Sequence, residues 1–175
     1  SETDKVIEES EKTNRDIKRH SEEVVKDSKR TNTEIERTVE KMIRELEEIL
    51  ERIKRLADNG VPKEDLKRLV DELKERIDRI LKELEELLRT DKKRISDALR
   101  RDEELAKKDK DEIDKKLDDK DKAKKLKDET DRILETSERL LKALRDETDA
   151  IKRKVEELVR RVKEELDRIL KKTED

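Results

Sequence analysis

The chain has 175 residues, of which 59% are charged: 50 basic and 53 acidic, for a formal net charge of −3. It has no aromatic residue and no cysteine, with a single glycine and a single proline. That composition excludes disulfides and thiol chemistry. It also argues against nucleic acid as a partner, because no half is strongly basic and no ring can stack on a base. No apolar run approaches the roughly 20 residues of a membrane span.

High charge alone would suit a disordered chain, but here the charges balance and the apolar residues are strictly patterned. The first segment carries Val6, Ile7, Ser10, Thr13, Asn14, Ile17, His20 and Ser21 at positions that recur as Val24, Val25, Ser28, Thr31, Asn32, Ile35, Thr38 and Val39. They recur again as Met42, Ile43, Leu46, Ile49, Leu50, Ile53, Leu56 and Ala57. The interval is eighteen residues, about five whole turns, so the stripe runs along a helix without drifting. Helix 1 is expected over about 2–58. It ends at Asp58-Asn59-Gly60-Val61-Pro62, where a glycine suits a helix end and a proline the start of the next.

No glycine or proline follows Pro62, so the second break has to be read from angle. At about 100° per residue, the apolar positions from Leu66 to Leu117 share one direction, and those from Ala123 onward lie about a quarter turn away. One regular buried face cannot jump in that way. A turn is therefore expected near 118–121, with helix 2 at about 62–117 and helix 3 at about 121–173, and an Asp there is suited to cap the third helix. The reading is an all-α, antiparallel up-down-up bundle of three long, nearly straight helices in one domain over 1–175. Each helix would be roughly 85 Å long, and the stripes are wide enough to close a core without a partner.

Polar residues interrupt the stripes. Levels on helices 1 and 2 match when residue numbers total about 120, and levels on helices 2 and 3 when they total about 240. Asp109 then lies beside Ser10, Thr13, Asn14 and Thr130. Asp91 lies beside Ser28, Thr31, Asn32 and Thr148, and Asp102 falls near His20, Ser21 and Ser137. Thr38 and Thr136 also lie near the stripes. A carboxylate removed from water needs several donors, and hydroxyls and amides supply them. These levels read as hydrogen-bond layers that fix register and pairing rather than add net stability. The end formed by 39–57, 62–88 and 151–170 is almost wholly aliphatic and is expected to hold most of the stability.

His20 beside Asp102 invites a metal or general-base reading. One histidine and no cysteine fall short of the three or four ligands a metal site needs, and catalysis needs a substrate-sized pocket. A structural histidine in the layer is favoured, with a pH-sensitive contact to Asp102 as a hypothesis. The three aspartates stand about 16 and 10 Å apart along the helix, too far to share an ion. No catalytic residue, cofactor or metal is expected.

The straight repeat, the Ser/Thr/Asn/Asp layers, the Gly-Val-Pro loop and tracts such as Arg44-Glu45-Leu46-Glu47-Glu48-Ile49-Leu50 resemble de novo designed helical bundles with buried hydrogen-bond networks. That resemblance covers the whole chain. It implies a structural scaffold with no natural biochemical function or localisation, expressed recombinantly as a soluble protein. A start at Ser-Glu-Thr-Asp without Met fits a chain left after tag removal. The alternative within the same resemblance is an interaction module that self-associates or accepts a designed partner helix. Spectrin-like repeats, desiccation-associated helical proteins and apolipoprotein-like lipid binders share single features but differ in period, aromatic content or core.

Overall fold

The computed structural model describes residues 1–173. Three helices account for nearly all of them: α1 Glu2–Asp58, α2 Lys63–Lys116 and α3 Lys120–Lys172. They pack as a three-helix bundle in which α1 and α3 run alongside each other and α2 runs against both. Side-chain pairs show that order directly. Ser10 meets Asp109 and Ser28 meets Asp91, so α2 numbers fall as α1 numbers rise. Asn32 meets Thr148 and Lys54 meets Glu165, so α3 numbers rise with those of α1.

The first turn follows from Gly60. Its φ of 77° is in the left-handed region that costs a Cβ-bearing residue strain. With Gly60 there, its N–H reaches the carbonyl of Ala57 at 3.2 Å and the Val61 N–H reaches that of Leu56 at 3.2 Å. This is a Schellman ending, and Val61 and Leu56 both pack on the adjoining core, as that motif favours. Pro62 then begins the next helix without wasting a donor, its carbonyl accepting from Asp65 and Leu66.

The second turn is tighter than expected and comprises Leu117, Asp118 and Asp119. Asp119 Oδ1 accepts the N–H groups of Asp121 and Lys122 at 3.0 and 3.3 Å, so α3 starts at Lys120. A carboxylate cap replaces glycine at this corner.

The helices contribute to two compact units. Among the described residues, unit 1 contains 1–30 and 90–147, and unit 2 contains 31–89 and 148–173. Unit 2 is aliphatic. Met42, Leu46, Leu50, Ile53, Leu66, Val70, Leu73, Ile77, Val159, Leu166 and Ile169 form one buried cluster, and Ile35, Val39, Leu84, Leu88, Ile151 and Val155 another. Unit 1 has smaller apolar clusters, one around Val24, Ile95, Leu99, Leu141 and Leu144 and one around Val6, Ile113, Leu117 and Ala123. Between those lie buried polar side chains. No helix among the described residues is long and apolar enough to cross a membrane.

Gly60 carries a direct test. A Cβ there would meet nothing within 4 Å, so replacement costs backbone strain and not a clash. Gly60→Ala is expected to destabilise the chain by about 1–2 kcal/mol in urea unfolding, with Gly60→Asn costing less because asparagine tolerates this region.

Candidate functional site

Unit 1 holds the polar levels at Asp109 and Asp102 and the Ser28–Asp91 pair. The level of Asp109 is the best satisfied. Its Oδ2 accepts the Ser10 hydroxyl of α1 at 2.8 Å and the Thr130 hydroxyl of α3 at 2.9 Å. One carboxylate oxygen on α2 is thus held from both other helices. Ser10 and Thr130 are fully buried and Asp109 nearly so. Lys110 and Asp131 make an ion pair at 2.8 Å on the rim of the same level, and Lys127 and Asp114 another at 2.7 Å one turn away. Asn14 is buried nearby in sequence, but its Oδ1 has no hydrogen-bond partner, and Thr13 is only half-buried.

At the next level Asp102 Oδ2 accepts the Ser21 hydroxyl at 2.6 Å. Its Oδ1 is buried without a hydrogen-bond partner, and so is Nδ1 of the half-buried His20. Burial pushes the Asp102 carboxyl above the usual range, while the Ser21 hydroxyl and the charges of His20 and Arg101 pull it down. Ser137 is buried on α3. Neighbouring Glu138 is also held above the usual carboxylate range, first by burial and then by a hydrogen bond to Glu103. Asp91, the third aspartate of the α2 stripe, accepts the Ser28 hydroxyl at 2.6 Å and has the Arg94 guanidinium 3.8 Å from Oδ1.

Unit 2 holds Asn32 and Thr148, both buried and joined by an Nδ2–Oγ1 hydrogen bond of 3.4 Å. Thr31 is half-buried. Of the residues expected at this height, Ser28 pairs with Asp91 and Asn32 with Thr148.

Thr38 and Thr136 are exposed and turn back to accept places on their own helices, donating to the carbonyls of Glu34 and Arg132 at 2.9 and 3.0 Å. A hydroxyl can always reach the carbonyl four residues earlier, so a threonine at the stripe edge satisfies itself without crossing to a neighbour. The Glu103–Glu138 contact was not visible in the sequence, because both residues read as surface charge. Its only signal is that Glu138 follows Ser137 at the edge of the α3 stripe.

Chemically, these levels can hold and orient protons and donors. Among the described residues, no group of three or more His, Asp or Glu side chains is placed to hold a metal ion. One open surface groove lies in unit 2, lined by Ile49, Ile53, Leu56, Leu69 and Leu73.

No protein-family model matches the chain, and neither does any curated protein. Among solved structures it is similar to one described as a computationally designed three helix bundle, with a TM-score of 0.53 and 17% sequence identity over 97% of this chain and 88% of that one. At that identity the shared property is the fold.

The Asp109 level yields a mutational test. Ser10→Ala removes one of two donors to a buried carboxylate and is expected to cost about 1–3 kcal/mol. Combining Ser10→Ala, Thr130→Val and Asp109→Leu replaces the whole arrangement by apolar groups and is expected to be neutral or stabilising. Urea unfolding of both variants beside the parent measures each outcome.

Proposed function

We propose that the chain is a designed structural scaffold with no natural biochemical activity, in which the buried polar levels specify helix register and pairing. The observation that carries this reading is the shared acceptor at Asp109 Oδ2, reached by Ser10 from α1 and by Thr130 from α3. Sliding either helix by one turn moves its hydroxyl about 5.4 Å, and the carboxylate then loses a donor inside the core. An aliphatic core penalises such a slip less, since one leucine or isoleucine replaces another. The similarity in fold to a computationally designed bundle supports the same reading. The eighteen-residue repeat and the absence of aromatic residues agree with it. Nothing in it requires a cofactor, a partner or a catalytic residue. The whole chain is proposed to act as one domain.

A second reading has a specific observation behind it. Leu69 and Leu87 are 40% and 50% exposed, and they stand eighteen residues apart on one line of α2. With the groove beside Leu69 they would suit an interaction module in which a second copy of this chain covers that face. The scaffold reading predicts a single species of 21.0 kDa across concentration in light scattering. It also predicts that replacing the polar levels of unit 1 by apolar residues leaves a stable chain populating several masses or several sets of NMR signals. If the apolar variant stays a single monomer with one set of signals, the levels do not specify pairing. A parent of doubled mass that returns to monomer on Leu69→Lys and Leu87→Lys would favour the interaction module.

A further inference from the structure

The three aspartates of the α2 stripe are compensated unequally. Asp109 receives two hydroxyls, and Asp91 receives a hydroxyl with a guanidinium nearby. Asp102 is 0% exposed and receives the Ser21 hydroxyl alone, with its second oxygen buried and lacking a hydrogen-bond partner.

The charged groups around it carry both signs. From α1 comes His20, whose buried Nδ1 also lacks a hydrogen-bond partner. From α2 come Arg101 and Glu103, and from α3 comes Glu138, hydrogen-bonded to Glu103 and 3.9 Å from Lys142. Asp102 on α2, His20 on α1 and Glu138 on α3 thus contribute titratable groups to this level from three helices.

We propose that the Asp102 level is a proton-binding site, at which the folded chain takes up a proton and packs more stably as the pH falls. A proton on Asp102 removes a buried negative charge and turns an orphaned acceptor into a donor.

The sign follows from burial. Asp102 and Glu138 are both held above the ordinary carboxylate range in the fold, chiefly by burial. A carboxyl raised in the folded state contributes stability that is fully present below its unfolded pKa. That contribution is lost as pH rises through the folded pKa. The window accordingly opens at ordinary carboxylate pKa and extends upward from it.

Urea unfolding of the full chain and of Asp102→Asn, each measured between about pH 4 and pH 7.5, tests this proposal, because the remaining carboxylates contribute equally to both. The parent's unfolding constant, relative to the variant's, is expected to rise with pH by about tenfold for each unit by which the carboxyl lies above its ordinary value. A ratio that is flat or falls with pH overturns the proposal. Carbon-13 titration of the Asp102 carboxyl in the parent does not depend on the variant folding. A midpoint above those of the exposed aspartates is expected, and a midpoint among or below them overturns the proposal.

Discussion

A carboxylate taken out of water must find donors, and in this chain the donors stand on other helices. That constraint organises the polar part of the molecule. Asp109, Asp102 and Asp91 project from one stripe of α2, and each accepts a serine hydroxyl from α1. Each aspartate thus meets its own serine at its own height along α1. At Asp109 the Thr130 hydroxyl fixes the third helix to the same height. The geometry therefore links three chain segments through one oxygen atom, which an apolar contact cannot do.

The two units divide the work of the fold. Unit 2 buries leucine, isoleucine and valine in two clusters, and a fully buried side chain of this kind contributes about 1.5–3 kcal/mol. Unit 1 gives part of its interior to hydroxyls, amides and carboxylates, whose net contribution is small because desolvation offsets the hydrogen bonds. Its surface ion pairs, such as Lys110–Asp131 and Lys127–Asp114, sit on partly exposed side chains and contribute little more. Burial holds the Asp102 and Glu138 carboxyls above the usual range, as desolvation of a charge requires. Unit 2 gains more from ordinary burial than unit 1, whose interior is partly polar.

Much of this was legible in the residues. The eighteen-residue interval predicted long straight helices, and Gly60 with Pro62 marked the first turn because glycine suits a left-handed helix end and proline the start of the next helix. The change of angle after Leu117 located the second turn without any glycine, since a buried stripe cannot change direction within one helix. Matching heights by residue number brought Ser10, Asp109 and Thr130 together. Spacing cannot resolve rotamers, however. It did not show that Thr38 and Thr136 would turn back on their own helices, or that Asn14 would be buried with its Oδ1 unmatched. Nor did it distinguish the Glu103–Glu138 contact from solvated charge, because an acidic residue at the stripe edge reads the same in either setting.

The most direct test is an isotope-filtered NOE measurement on a mixture of labelled and unlabelled chains, following the Ser10 and Thr130 side chains to Asp109. The account predicts slowly exchanging hydroxyl protons with contacts to Asp109 inside one chain and none between labelled and unlabelled chains. Contacts arising between chains would show that register is set in an assembly. Rapidly exchanging hydroxyls with no contact to Asp109 would show that the buried carboxylate does not hold the helices together.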